Sequence, residues 1–96
     1  MSDLDQAQRH TSIHTATAGG LAAILEQAMI TAAGGAAIPV SLNLDYAGPI
    51  TPGADLSVEA WIDRATRTLI FAHAEARRAD DGARIAVCAG VFRVGG

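Results

Sequence analysis

Apolar positions in this chain change their period once. From Ala16 to Ala33 they recur at three and four: Leu21, Ile24, Leu25, Ala28, Met29 and Ala32, with Ala22, Ala23 and Ala33 filling the other side. That spacing predicts an α-helix, and one apolar nearly all round is buried on most of its sides. Gly34 and Gly35 stop it, because glycine readily takes the left-handed conformation that ends helices. From Ile38 onward the period falls to two. IPVSLNLDY places Ile38, Val40, Leu42, Leu44 and Tyr46 on one face and Ser41, Asn43 and Asp45 on the other. LSVEAWID sets Leu56, Val58, Ala60 and Ile62 against Ser57, Glu59, Trp61 and Asp63. Both read as strands.

LIFAHAEARR is a third strand, joined to the second by the tight connection RATRT, and the Asp-Gly of ADDGAR marks a hairpin into the fourth. That last strand, RIAVCAGVFRV, is apolar on both faces, the pattern of a central strand or of one buried in an interface. AGPITPGAD carries two prolines and two glycines and reads as a loop. Met1 to His10 is polar without a period, a flexible lead or a short helical turn. The expectation is one α+β domain over residues 1–96, with a lead at 1–15, a central helix at 16–34 and four antiparallel strands at 38–94. An antiparallel sheet curled around the helix is the simplest way to hide a helix that has no polar face.

One residue breaks this pattern. Glu26 is a carboxylate inside the apolar helix, and burying an ionised carboxylate is costly unless it is paired or neutralised. A structural ion pair across an interface and a reactive carboxylate both account for it.

Composition narrows the remaining classes. Half of the 96 residues are apolar but only 4% are aromatic, so an alanine-rich core gains little per residue, at roughly 0.8 kcal/mol per methylene. Oligomerisation is expected to supply part of the missing burial. The net charge is −3 and the seven arginines form no basic run, which disfavours nucleic acid as a partner. Cys88 is the single cysteine; no intrachain disulfide can form, which points to a cytoplasmic setting. In its apolar strand it reads as inert core. The N-terminus shows no signal-peptide pattern. Glu26, Gln27 and two Gly-Gly pairs interrupt the longest apolar stretch, Ala16 to Val40, so no membrane span is expected. His10, His14, His73 and Cys88 have no metal-ligand spacing, and neither a metal nor a cofactor is expected. His73 shares a strand face with Leu69, Phe71 and Glu75 and reads as a hydrogen-bonded structural histidine. Trp61, among polar neighbours, suits an interface or ligand groove as well as a half-exposed surface site.

The order of these features resembles the hotdog fold: an Ala/Gly-rich helix, a strand ending in NLDYAGPI, a Pro-Gly loop, then hairpins through DRATRT and ADDGARIA. Within that fold it is similar to the acyl-CoA thioesterases of the phenylacetate-pathway (PaaI-like) and 4-hydroxybenzoyl-CoA thioesterase type, over roughly Thr17 to Val94. In that family a His-Gly-Gly turn opens the helix and an Asp or Glu follows nine residues after the His. Here Thr17 stands at the His position, with Ala18 and Gly19 after it, and Glu26 stands at the carboxylate. The resemblance implies that Glu26 is nucleophile or general base and that the Ala18–Gly19 backbone is oxyanion donor. His14, one turn upstream, is the histidine that could stand in for the one replaced by Thr17.

The resemblance further implies that Arg64, Thr66 and Arg67 touch the CoA phosphates and pantetheine, and that Asn43 meets substrate in the groove. Ordinary turn and edge roles are open for those four. It also implies a homodimer or homotetramer with sites between one subunit's helix and the other's strands. The helix start suits this chemistry physically, since its unpaired N–H groups and positive dipole end favour charge developing on a thioester oxygen. Hydrolysis of an acyl- or aryl-CoA thioester is the expected function. A non-catalytic hotdog that binds an acyl or CoA ligand, or serves as an assembly module, is the alternative.

Overall fold

The computed structural model describes residues 9–15, 20–51 and 53–94. Its elements are β1 (Arg9–Thr15), α1 (Leu21–Ala32), β2 (Ile38–Tyr46), β3 (Asp55–Ala65), β4 (Leu69–Arg78) and β5 (Arg84–Arg93). The strands form one antiparallel sheet in the order β1-β3-β4-β5-β2, and α1 packs on one face of it. Five strands stand where four were expected. The lead assigned to residues 1–15 contains β1, paired to β3 from Arg9 opposite Trp61 to Thr15 opposite Asp55. Patterning could not reveal this strand. Ile13 is its one apolar residue and points away from the helix, and Ser12 and His14 occupy the helix side. Ladder hydrogen bonds hold it, not an apolar face.

The helix begins at Leu21, with Gly20 as N-cap, and ends at Ala32. Gly34 and Gly35 have φ of 100° and 91°, and the Gly35 N–H bonds the Ile30 carbonyl at 2.8 Å, so the glycine pair ends the helix as expected. Only one side of α1 is buried within the chain, through Leu21, Leu25, Ala28 and Met29. Ala22, Ala23, Gln27 and Thr31 are exposed, so a helix expected to be covered on most sides keeps an open flank.

Directly opposite residues in an antiparallel pair share a face, and the register therefore sorts the sheet into two faces. Val58, Ala60, Ala72, Ala74, Ala76, Ala86, Cys88 and Phe92 are buried on the helix side. Small residues dominate this set, which lets α1 lie close to the strands. Gly90 is the extreme case. A Cβ there would come within 2.7 Å of Phe92 Cε1 and 3.1 Å of both Leu42 Cδ2 and Met29 Sδ.

Three irregularities re-aim side chains. In β3 the register shifts between Ile62 and Arg64, so Asp63 and Arg64 both reach the face opposite the helix. A shift between Ala76 and Arg77 leaves Ile85 and Ala86 both buried. In β2 the shift lies between Pro39 and Ser41. It corrects the single apolar face expected for that strand: Leu42, Leu44 and Tyr46 oppose Gly90, Cys88 and Ala86 on the helix side, but Ile38 opposes Arg93 on the other. Much of β2 is also uncovered, with Ile38 63%, Val40 54% and Tyr46 60% exposed. Among the described residues no helix is long and apolar enough to cross a membrane.

Candidate functional site

Chain direction sets which groups share an end of the molecule. β1 finishes at Thr15 opposite Asp55, α1 runs back along the sheet, and β2 starts at Ile38 opposite Arg93, itself opposite Leu69. The start of α1 therefore lies at the end of the sheet that carries the β4–β5 hairpin. Its finish lies at the end that carries the β3–β4 hairpin.

At the start of α1 the first closed turn is the Ile24 N–H to the Gly20 carbonyl, 3.1 Å. The N–H groups of Leu21, Ala22 and Ala23 come before it and have no partner within the helix. Gly20 offers no side-chain cap and the first turn holds no acidic residue. The result is a set of backbone donors at the positive end of a helix dipole, suited to an anion or a developing oxyanion. Thr17, Ala18 and Gly19, the turn picked out by sequence, lie outside the described residues.

Glu26 follows Leu21 by five residues, about 7.5 Å along the axis at 1.5 Å per residue. Helical side chains lean toward the N-terminus, which brings its carboxylate back toward those donors. Glu26 is half-buried on the open flank beside exposed Ala22 and Ala23, and among the described residues no cation pairs with it. Its charge is felt by Cys88 on β5. Burial pushes the Cys88 thiol above its ordinary value of 9.0, a hydrogen bond from the Asn43 backbone N–H works against that, and the charges of Glu26 and Asp45 add to the rise.

His14 sits on β1, opposite Leu56, with Nε2 2.7 Å from Ser12 Oγ. β3 and β4 separate β1 from β5, about 14 Å at ~4.8 Å per strand. Among the described residues His14 and Glu26 share no hydrogen bond or ion pair. Asn43 opposes Ala89, so its exposed side chain is on the face away from α1, and only its backbone approaches Cys88.

Arg64, Thr66 and Arg67 stay together at the β3–β4 hairpin, at the end where α1 finishes. The Arg64 guanidinium lies 5.2 Å from the centre of the Phe71 ring. The Thr66 hydroxyl accepts from the Leu69 N–H at 3.0 Å and so closes the turn. Arg67 is exposed, with no ion-pair partner among the described residues.

Sequence reasoning missed Arg78. The period-two run Ile70, Ala72, Ala74, Ala76 continues into Arg78 and places it on the helix side, opposite Leu56, at the end where α1 begins. With Ala54, Asp55, Ala79 and Asp80 it lines a pocket of about 340 Å³, and its Nε donates to Asp81 at 3.2 Å. The signal was present in that alternation. Among the described residues no cluster of His, Cys, Asp or Glu could hold a metal ion.

The family model described as the thioesterase superfamily matches residues 14–85. The chain belongs to the thioesterase superfamily. Its fold is the hotdog fold of solved relatives. Zebrafish thioesterase superfamily member 2 is 20% identical with a TM-score of 0.80, covering 91% of this chain and 75% of that one. The Escherichia coli PaaI protein, from the phenylacetic acid degradation operon, is 20% identical with a TM-score of 0.81, covering 93% and 75%. A hypothetical thioesterase from Streptococcus pneumoniae, solved with coenzyme A, is 11% identical with a TM-score of 0.83, covering 92% and 79%. None of the curated proteins matches this thioesterase-superfamily chain by sequence. The hotdog fold expected from the residue order is therefore the observed one, with the additional strand β1 at its edge.

Proposed function

We propose that the chain hydrolyses the thioester of an acyl- or aryl-coenzyme A, with Glu26 as nucleophile or general base. The observation that carries this reading is a carboxylate without a cation partner among the described residues, on the open flank of α1 and following a helix start with no side-chain cap, in a chain of the thioesterase superfamily. The coenzyme A in the pneumococcal relative supports the choice of thiol. In the general-base form, Glu26 takes a proton from water, and the water oxygen attacks the thioester carbonyl carbon. The helix-start N–H groups hold the negative oxygen of the tetrahedral intermediate. The C–S bond then breaks, and the leaving thiolate takes up the proton that Glu26 had accepted from the water, which returns Glu26 to its carboxylate form.

The site is completed by a second copy. β2 is an edge strand with uncovered apolar side chains, and such an edge is a template for pairing. Antiparallel pairing with the same strand of a second copy joins the sheets. It also turns the second sheet end for end. The second copy's 65–69 hairpin, with its Arg64 and Arg67, then lies at the end where the first copy's α1 begins. That arrangement supplies cations for CoA phosphates from one chain and the carboxylate from the other.

A screen of acyl- and aryl-CoA thioesters with wild type beside Glu26→Gln tests the assignment. Loss of kcat by a hundredfold or more with KM within a few-fold is expected. Unchanged hydrolysis by Glu26→Gln removes Glu26 from the mechanism. The second reading, binding without turnover, draws on Thr17 standing where the resembled family has a His. It predicts a raised Tm with acyl-CoA and no hydrolysis across the same screen.

A further inference from the structure

Among the described strands, β1 is the one whose helix side lacks an apolar row. On β3, β4 and β5 that side carries buried apolar residues. On β1 it carries Ser12 and His14, set by the register opposite the buried side chains of Val58 and Leu56. Two residues apart on a strand, they share a face. They also satisfy each other, with Ser12 Oγ and His14 Nε2 2.7 Å apart. A polar pair on an inward face gives up the burial that two apolar residues would supply there, and the Glu26 chemistry makes no use of it.

The pair has the geometry of a nucleophile with its base. With the ring proton on Nδ1, Nε2 accepts the Ser12 hydroxyl along a bond already formed. Both side chains are half-buried, and β1 is an edge of the sheet. The pair therefore sits at the rim of the helix-side face, over an apolar floor of Leu56 and Val58 and within reach of solvent. β1 finishes at the end of the sheet where α1 starts, so the N–H groups of Leu21, Ala22 and Ala23 stand at the same end as donors for an oxyanion. Among the described residues no carboxylate bonds to His14, so its ring lacks the third group that orients the histidine of a full triad. A dyad without that group suits acyl groups carried on good leaving groups.

We propose that Ser12 and His14 form a second acyl-transfer centre, in which Ser12 is transiently acylated by activated esters of apolar acids, aryl esters above all. Neither Glu26 nor coenzyme A takes part. Ser12 Oγ attacks the ester carbonyl carbon as its proton passes to His14 Nε2. The bond to the phenolate leaving group breaks, and the phenolate takes that proton. Water then gives a proton to Nε2 and attacks the acyl-serine carbon. Ser12 Oγ leaves with that proton, which releases the free acid and restores the dyad.

Labelling with an alkyl fluorophosphonate and hydrolysis of 4-nitrophenyl butyrate test this. Expected are a covalent phosphonate that peptide fragmentation places on Ser12, and ester hydrolysis that Ser12→Ala abolishes. His14→Gln keeps a polar side chain beside Ser12 but cannot take its proton, and it slows both reactions by roughly a hundredfold or more. Thr11→Ala removes the neighbouring hydroxyl on the exposed face of β1 and leaves both unchanged. Far-UV circular dichroism confirms folding. Should Ser12→Ala not fold, Ser12→Cys takes its place: iodoacetamide is expected to alkylate its new thiol faster than Cys88, and more slowly once His14→Gln is added. A phosphonate on another residue, no label at all, or ester hydrolysis that Ser12→Ala leaves at the wild-type rate overturns the assignment, as does a Ser12→Cys thiol whose alkylation His14→Gln does not slow.

Discussion

Gly90 lies beneath Met29, so close that a Cβ on the glycine would sit 3.1 Å from the methionine Sδ. The contact couples the middle of β5 to α1, and the Phe92 ring at 2.7 Å and the Leu42 methyl at 3.1 Å close the remaining space. Phe92 and Met29 are fully buried, so neither can swing into solvent to make room. Overpacked cores lose about 1–3 kcal/mol. Gly90→Ala is expected to fall in that range and Gly90→Val above it, read as the shift of a urea unfolding midpoint. A Met29→Ala, Gly90→Ala double variant is less destabilised than the sum of its single changes, because the smaller side chain vacates the space the new methyl needs.

The Cys88 thiol holds its proton more tightly in the folded chain than in the unfolded one, since burial and the charges of Glu26 and Asp45 raise it from 9.0. The sign follows from linkage. The native state is the better proton binder, so this group's contribution to stability is intact below pH 9 and declines as the pH rises through and above that value. Alkylation by iodoacetamide at pH 8 is expected to be slow in native protein and to become fast with urea unfolding. Native Cys88 that reacts at the rate of a free thiol contradicts this burial.

Asp81 titrates in the opposite sense. The Ala83 N–H, bonded at 2.9 Å, holds its carboxyl below the usual 3.8, and Arg78 adds to that pull. Its contribution is present above pH 3.8 and is lost as the pH falls through its lowered value. Asp81→Ala is expected to flatten the acid limb of the stability curve below pH 4 while leaving the limb above pH 9 unchanged. Thermal melts across pH 2–10 read both.

The elements with a strong period were legible in the sequence. The α1 pattern from Leu21 to Ala32, the glycine stop and four strands stand where patterning put them, because burial of one face enforces the period. β1 was invisible because its helix side carries Ser12 and His14 instead of an apolar row. The β2 bulge at Pro39 was equally hidden, and it sends Ile38 to the face opposite Leu42. At the candidate site, Glu26 stood out as the one charge in an apolar run. Arg78 was legible in principle, since period two from Ile70 ends on it. The distance of Arg64 and Arg67 from the start of α1 was not, because it depends on which end of the sheet each hairpin occupies.

That distance gives the proposed mechanism its sharpest test. Within one chain the β3–β4 hairpin and the start of α1 lie at opposite ends of a helix of 12 residues, about 18 Å long. If a second copy's hairpin supplies the phosphate contacts, Arg67→Ala raises KM for a CoA thioester with little change in kcat. A rise of roughly tenfold corresponds to about 1.4 kcal/mol of lost binding. Arg64→Ala acts in the same direction and also gives up its contact with Phe71, whereas Arg64→Lys keeps the charge and recovers part of the loss. Because the contacts are ionic, the wild-type KM rises with added salt, and more steeply than that of Arg67→Ala. Mixing the two defective chains makes the decisive measurement. Glu26→Gln homodimers lack the carboxylate and Arg64→Ala, Arg67→Ala homodimers lack the cations, but a mixed dimer holds one site with both intact. Activity recovered on mixing places the two halves of the site on different chains. Activity that stays at the average of the parents places them on one.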